Sequence, residues 1–474
     1  MRSTLLLALL VALLLVAGPA SAQTTPGLRA RLATLVREAG LGDQVGVQVA
    51  HASDGEIVFA SRSDLPLNPA SNMKVVTAAG ALLRLGPGFQ MQTGLYGRVV
   101  DGRVDTLVLR GFGDPSLRIS DLVELAAALA DRGVRAVGEI VVDGSYFDDQ
   151  ILPPAFEQQP DEAAAFRAAI GAVAVERASF VLRVLPGPSI GSEARVRLVG
   201  ADYFELSNRM TTSEGGAPNV IASQSALEGG RMQLNLRGSV PAGILGVSYR
   251  RRIENPLLHA GYCMVEALER AGIRARSRVR LGHTPHGTPL LTSRTSAPLA
   301  TLLHALGKHS DNFVAEMILK VLGAERSRPG SSARGAEVLQ EVLGEVGVPE
   351  GAATIVNGSG LFEGNRIAAS HLVAVLRHMH GRAALRAEFL AHLAIGAEDG
   401  TLRRRLRGLP APRIVRAKTG TLNDAIALSG YVLGPRPEST VAFSFLANGV
   451  RGRQGAARNL ADAIASAIAE DLYR

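Results

Sequence analysis

Residues 68–79 of the chain read NPASNMKVVTAA, and they decide how the rest of the sequence is interpreted. The asparagine–proline pair ends the preceding element, and apolar residues then recur at helical spacing as far as Gly86. Ser71 and Lys74 are three residues apart, so a helix places them one turn apart on the same face. A lysine that is shielded from water can lose its proton and act as a base for a neighbouring serine. This stretch therefore predicts a helix that carries a nucleophilic serine.

Lysine is rare in this chain, which makes each lysine informative. The chain has 51 basic residues, but only four are lysines, and arginine cannot replace a lysine as a base. Lys74 lies in Ser-x-x-Lys, Lys308 comes two residues before Ser310, and Lys418 begins Lys-Thr-Gly-Thr. Three of the four thus fall in or beside short motifs, and Lys320 is interpreted as an ordinary surface residue.

Two further motifs lie far from Ser71 in the sequence. The first is Ser310-Asp311-Asn312, which taken alone is equally well explained as a helix cap. The second, residues 418–421, follows a predicted strand. There Gly420 would let a ligand backbone approach the strand edge, where a bound peptide can pair as an extra strand. The lysine and threonine side chains of this second motif suit a terminal carboxylate.

Ser-x-x-Lys, Ser-Asp-Asn and Lys-Thr-Gly together are the signature of the penicillin-recognising serine enzymes. Their order and spacing here resemble the D-alanyl-D-alanine carboxypeptidase/endopeptidase family, the class C low-molecular-weight penicillin-binding proteins. The resemblance implies an α+β fold with a penicillin-binding/β-lactamase-like core. In that core an antiparallel five-stranded sheet is flanked by helices, and a large, mostly β insert of two domains splits it.

The resemblance also implies a role for each motif residue. Ser71 would attack the D-Ala-D-Ala bond with Lys74 as its base, although the identity of the base stays open, and Ser310 would pass a proton to the leaving amine. The implied catalytic residues are Ser71, Lys74, Ser310, Asn312 and Lys418. The implied substrate-binding residues are Thr419, Gly420, Thr421, Asp161 and Phe166. Asp311 is expected to point away, and the backbone N–H groups of Ser71 and Thr421 would form the oxyanion hole.

Three other stretches resemble segments of the same family, namely residues 111–117, 357–361 and 400–402. They are predicted to be structural turns without chemistry. Asn357 stands where the family usually has aspartate.

The rest of the chain supplies the domain organisation. Residues 1–22 have a charged start, an apolar stretch and a small-residue cleavage site, which is typical of a secretory signal peptide. Strand patterns near both ends predict one discontinuous catalytic domain, residues 23–89 and 291–474. Residues 90–290 form the predicted insert, which is expected to consist of two nested smaller domains. Within it, residues 128–135 and 267–274 share Ala-Leu-x-x-x-Gly-x-Arg.

Composition limits the possible partners. The net charge is +8, but aromatic residues make up only 4% and the arginines are scattered, so we expect no nucleic acid partner. No metal-site spacing or cofactor motif occurs, and the single cysteine, Cys263, excludes an internal disulfide. The expected protein is periplasmic or otherwise extracytoplasmic and has no transmembrane helix. It would bind peptidoglycan stem peptides, take β-lactams as inhibitors and associate peripherally with the anionic envelope.

Two alternatives remain at this point. A β-lactamase or esterase could use the same serine machinery, with Glu316 as the one glutamate that sequence leaves open for deacylation. A non-catalytic envelope-binding scaffold could use the same fold. Within the leading hypothesis, D,D-endopeptidase activity could accompany the D,D-carboxypeptidase activity.

Overall fold

The computed structural model describes residues 26–474, and the predicted signal peptide lies outside them. Helices account for much of the two ends of the chain and for two segments of the middle. The α-helices are, in chain order, α1 (Pro26–Glu38), α2 (Met73–Leu85), α3 (Ile119–Asp131), α4 (Pro256–Arg270), α5 (Leu299–Lys308), α6 (Asn312–Arg326), α7 (Ser332–Glu345), α8 (Ala369–Gly381), α9 (Arg386–His392) and α10 (Gln454–Leu472).

The strands before and inside the predicted insert are β1 (Val45–His51), β2 (Ile57–Ser61), β3 (Gln92–Tyr96), β4 (Val99–Val100), β5 (Arg103–Gly111), β6 (Ala136–Asp143), β7 (Ser179–Leu185), β8 (Arg195–Arg197), β9 (Phe204–Ser213), β10 (Asn219–Ala226), β11 (Met232–Pro241), β12 (Val247–Arg252), β13 (Arg274–Ala275), β14 (Val279–Leu281) and β15 (Leu290–Thr295). Those after it are β16 (Ala394–Ile395), β17 (Val415–Thr421), β18 (Ala425–Val432) and β19 (Val441–Asn448).

The central sheet is antiparallel and is built from both ends of the chain, as predicted. Its order is β16-β17-β18-β19-β1-β2, with Val47 of β1 opposite Phe445 of β19. Because side chains alternate along a strand, Val47 and Phe445 face one layer while Leu446 faces the other. The first layer contains α1 and α10, and the second contains α2 and α8. The two-residue strand β16 is a sixth strand that the sequence did not reveal.

Helix α2 lies at the centre of the helical layer. It contacts α5, α6, α7 and α8, and every residue from Met73 to Leu82 is buried. It ends at Leu85 and is followed by Gly86, whose φ of 80° is readily adopted only by glycine. Ser71 is therefore held at the start of a helix whose position is set on several sides by packing.

The middle of the chain contains a larger sheet and two smaller ones. The larger sheet has the order β13-β6-β5-β3-β15, with α3 and α4 packed together over it. The two helix–strand units that share a sequence pattern lie side by side, since β13 pairs in parallel with β6. The smaller sheets, β10-β11-β9 and β12-β7-β8, pack on a common apolar core. The limits of the inserted domains at residues 90 and 290 remain a proposal.

Two residues outside the motifs are buried. Cys263 is fully buried, and burial raises the pKa of its thiol. Lys320 contradicts its prediction because it is not a surface residue: it is 1% exposed and donates to Asp148 Oδ1 at 2.5 Å and to the Gln150 carbonyl at 2.7 Å. Its ammonium also lies 5.6 Å from the ring centre of Phe147. Lys320 thus occupies a buried site with two hydrogen-bond acceptors and an aromatic ring, which gives this lysine a structural role.

Removal of Asp148, the ion-pair partner of Lys320, should destabilise the fold. We expect Asp148→Ala to reduce the free energy of unfolding by about 3 kcal/mol, because it leaves a buried ammonium without its counter-charge. Urea unfolding followed by circular dichroism measures this. Glu341→Ala is the control, since its pair with Arg326 is about half exposed and should contribute at most about 1 kcal/mol. Equal effects of the two substitutions would contradict a special role for the buried pair.

Among residues 26–474, no helix is both long enough and apolar enough to cross a membrane. The same residues contain no cluster of histidine, cysteine and carboxylate side chains that could hold a metal ion.

Candidate active site

Ser71 lies on a short 3-10 turn, Ala70–Asn72, directly before α2. The Asn68 side chain accepts a hydrogen bond from the Ala70 N–H at 2.9 Å, and Ala70 has a positive φ of 46°. Such a conformation is unfavourable for a residue with a side chain and persists only where the surroundings enforce it. Gly360 contributes, because a Cβ there would lie 1.8 Å from the Ala70 carbonyl oxygen. The serine is thus presented by a strained, tightly packed turn.

Lys74 is completely buried and makes three hydrogen bonds. Its ammonium nitrogen donates to Ser71 Oγ at 3.0 Å, to Asn312 Oδ1 at 2.7 Å and to the Ser359 carbonyl at 2.6 Å. Three acceptors in one pocket fix the nitrogen beside the serine hydroxyl, which is the arrangement that a nucleophile and its base require.

Burial lowers the pKa of Lys74 to about 7, although the nearby carboxylates of Glu316 and Asp311 act in the opposite direction. An ordinary lysine would be almost fully protonated at neutral pH, whereas this one is divided between its two forms. Since only the neutral amine can accept a proton, we expect the rate of Ser71 acylation to rise with pH along a limb centred near pH 7. Stopped-flow acylation between pH 5 and 9 measures this, and a flat profile would contradict it.

Ser310 and Lys418 form a second pair on the other side of the site. Ser310 lies in the loop between α5 and α6 with a φ of 56°, again a strained conformation. Lys418 is fully buried on β17 and donates to Ser310 Oγ at 2.8 Å and to the Thr419 carbonyl at 2.7 Å. Burial, with a smaller contribution from the charge of Lys74, lowers the pKa of Lys418 well below its usual value.

Asn312 connects Lys74 with the loop that contains Phe166. Its side-chain oxygen accepts from Lys74, and its side-chain nitrogen donates to the Phe166 carbonyl at 3.0 Å. Asp311 caps α6 by accepting from the Val314 N–H and pairs with Arg177 at 2.9 Å, so it is engaged outside the cluster. Asn312 thus hydrogen-bonds to Lys74, whereas the hydrogen bond and the ion pair of Asp311 go to other residues. The resemblance implied this difference between the two residues.

The strand β17 carries the last motif. Thr419 is buried and its hydroxyl donates to Thr401 Oγ1 at 2.8 Å, whereas Thr421 is exposed. A Cβ at Gly420 would lie 2.9 Å from the Pro69 carbonyl oxygen and 3.1 Å from the Ala70 side chain. The turn before Ser71 therefore packs closely against this glycine, and the approach of a ligand backbone to it stays a prediction.

The two remaining predicted residues, Phe166 and Asp161, lie at different distances along one loop from the contact with Asn312. Phe166 is 46% exposed, and its carbonyl touches Asn312, so its backbone belongs to the rim of the site. Asp161 lies on the exposed part of the same loop, and within residues 26–474 no hydrogen bond or ion pair joins it to the motif residues. Their role in substrate binding stays a prediction.

Several residues of the site were missed or interpreted as turns. Ser359 accepts from Lys74 through its carbonyl, and its N–H, with that of Gly358, donates to the buried carboxylate of Glu316 at 2.7 and 3.2 Å. Thr401 binds the Thr419 hydroxyl. The stretches 357–361 and 400–402 thus contact the motif residues directly. Only their resemblance to family segments could have indicated this.

Known proteins are similar to this chain over most of its length. A model of the D-Ala-D-Ala carboxypeptidase 3 (S13) family matches residues 28–471. The D-alanyl-D-alanine carboxypeptidase of Actinomadura sp. (strain R39) is 35% identical over 443 residues, which are 90% of this chain and 81% of that protein. The crystal structure of penicillin binding protein 4 (dacB) from Haemophilus influenzae superposes with a TM-score of 0.74 at 24% identity, covering 92% of this chain and 99% of that one. The structure of that protein complexed with a novel β-lactam gives a TM-score of 0.72 at 23% identity, with the same coverage.

Proposed function

The chain belongs to the D-Ala-D-Ala carboxypeptidase 3 (S13) family, and we propose that Ser71 is its nucleophile and Lys74 its acylation base. The enzyme is a serine-type D-Ala-D-Ala carboxypeptidase. One observation carries the assignment of residues: a fully buried lysine, with a pKa of about 7, donates to the hydroxyl of a serine on a strained turn.

In the proposed acylation step, Ser71 Oγ bonds to the carbonyl carbon of the D-Ala–D-Ala peptide while its proton moves to Lys74 Nζ. The carbonyl oxygen becomes an oxyanion, which the N–H groups of Ser71 and Thr421 would stabilise. The C–N bond then breaks, and the departing amine receives a proton through Ser310 Oγ. The hydrogen bond from Lys418 to Ser310 supports this route, because it supplies a second buried proton donor behind the hydroxyl. Water finally hydrolyses the acyl ester.

Substrate binding would use the free edge of β17. Strand β16 pairs only with Arg416 and Ala417, so within the described residues the 418–421 segment has no strand neighbour on that side. A peptide can pair there through its backbone, and Thr419, Thr421 and Lys418 would receive its terminal carboxylate. Asp161 and Phe166 would contact the stem-peptide side chain from the facing loop.

The biological substrate would be the peptidoglycan stem peptide, with D,D-endopeptidase cleavage of cross-links as an additional activity. β-Lactams would acylate Ser71 by the same route and act as inhibitors. We place the mature enzyme outside the cytoplasmic membrane, in the periplasm or an equivalent compartment, because of the signal-like residues 1–22.

The alternative of a β-lactamase finds no support in Glu316. The side chain of Glu316 is buried, and both of its carboxylate oxygens accept hydrogen bonds from backbone N–H groups. It is poorly placed to activate a water molecule, and burial raises its pKa.

Labelling with a fluorescent penicillin, followed by intact mass and peptide mapping, tests the proposal. We expect one stable adduct on the peptide that contains Ser71, and D-alanine release from a pentapeptide that the label blocks. An adduct on another residue would contradict the assignment of the nucleophile. Rapid penicillin turnover without a lasting adduct would favour the β-lactamase.

A further inference from the structure

The sheet β12-β7-β8 has a strongly cationic outer face. Directly opposite residues of an antiparallel pair lie on the same face, and the register places Arg183 opposite Arg197 and Leu185 opposite Arg195. On the other side of β7, Val181 is opposite Arg250. Residues 182 and 184 point into the core, so these four arginines share the outer face, and all four are exposed.

None of the four arginines has an acidic partner among the described residues. Arg195 donates to the Pro186 carbonyl and Arg250 to Ser179 Oγ, and no ion pair involves any of the four. The nearest acidic residue along the chain, Glu193, accepts instead from Asn208 at 2.7 Å. Like charges directly opposite each other destabilise a sheet. The unpaired arginines therefore lower the stability of this sheet, and a bound polyanion would reduce their mutual repulsion.

The strand that carries Arg250 reaches the rim of the active site. Arg252, two residues further along β12, is buried and paired with Glu254 at 2.5 Å. Its side chain donates to the Glu162 carbonyl at 2.8 Å, and its N–H donates to the Ala163 carbonyl at 3.0 Å. The loop that covers this end of the face is the one whose Phe166 carbonyl accepts from Asn312. Strand β12 thus contacts the loop whose backbone accepts a hydrogen bond from Asn312, and Asn312 in turn binds Lys74.

We propose that this arginine face binds the peptidoglycan polymer outside the catalytic cleft. The arginines would bind the carboxylates of stem peptides that neighbour the one in the cleft. The inference rests on the proposed function. It is favoured by charge, because each stem peptide that is not joined through its carboxyl end carries a free carboxylate. It is favoured by position, because a polymer with one peptide in the cleft must extend over the adjoining surface. Neighbouring strands are about 4.8 Å apart, so the guanidinium groups offer closely spaced, repeated contacts.

The test compares two variants with the same loss of charge. The first changes Arg183, Arg195, Arg197 and Arg250 to glutamine. The matched control changes four exposed arginines of the larger sheet region that also lack ion pairs, namely Arg132, Arg135, Arg274 and Arg276. Each protein is assayed for D-alanine release from purified sacculi and from a soluble pentapeptide, and for co-sedimentation with sacculi.

For the first variant we expect kcat/KM on sacculi to fall about tenfold, with the pentapeptide rate and the control variant unchanged. Lysine at the four positions should restore binding, and added salt should remove the difference because exposed charges are screened. An equal loss on both substrates, or the same loss in the control, would overturn the proposal. Loss only on sacculi that retain a phosphodiester polymer, or arginine-dependent binding to anionic vesicles but not to sacculi, would assign the face to another ligand. Co-sedimentation needs no turnover, so it separates this result from a failure of the proposed activity.

Discussion

Replacing Lys74 by methionine should reduce the rate of Ser71 acylation by about 10³- to 10⁴-fold. Methionine fills a similar volume in the fully buried pocket but cannot accept the serine proton, so the hydroxyl must attack without a base. Arginine at the same position is the sharper variant. It keeps a positive charge but cannot be deprotonated, so it should be as inactive as methionine if Lys74 is the base.

Second-order rate constants for penicillin acylation, with D-alanine release as a second readout, measure this effect. Lys320→Met provides a matched control, because it also removes a fully buried lysine, yet one that contacts Asp148 instead of the motif residues. Circular dichroism and thermal melting confirm that each variant is folded. An arginine variant that retained the wild-type rate would show that Lys74 serves only as a charge, and the base would have to be sought elsewhere.

The parts of the site that could be predicted are those encoded by short spacings. Ser71 and Lys74 are neighbours because a helical turn brings residues three apart together. Lys418 and Thr419 are consecutive residues of a single predicted strand. The joining of the three motifs into one cluster came from a resemblance, since no local rule brings residues 71, 310 and 418 together. The five antiparallel strands of the core could be recognised as short apolar runs bounded by turn residues, whereas the two-residue strand β16 is too short to show a pattern.

What could not be predicted depends on contacts between distant segments. The Ser359 carbonyl that holds Lys74 and the Phe166 carbonyl that holds Asn312 are backbone atoms, which carry no residue signature. Lys320 was misjudged because its helix, α6, is buried on nearly all sides, so helical periodicity gave no polar face on which to place it. The close packing of the turn before Ser71 against Gly420 could not be predicted either, because the two segments are far apart in the sequence.

Replacing Lys418 by methionine should lower the acylation rate by about 10²- to 10³-fold, even though Lys418 makes no hydrogen bond to Ser71. Its ammonium donates to Ser310 Oγ, which would deliver the proton to the leaving amine, and its loss leaves that hydroxyl unoriented. The charge of Lys74 contributes to the lowered pKa of Lys418, so the two buried lysines are also linked electrostatically. Acylation kinetics with penicillin and with a pentapeptide should both report the loss.

A double-mutant cycle with Ser310→Ala distinguishes a shared proton route from two independent contributions. If Lys418 acts through Ser310, the double variant should be no slower than the slower single variant, because residues that act as a unit are strongly non-additive. Thr401→Val is the control, since it removes a hydroxyl that touches the same strand through Thr419 but lies outside the Lys418–Ser310 contact. Its effect should combine additively with that of Lys418→Met. Additive losses for Lys418 and Ser310 would instead mean that Lys418 acts on the substrate carboxylate, with the proton reaching the leaving amine from Lys74.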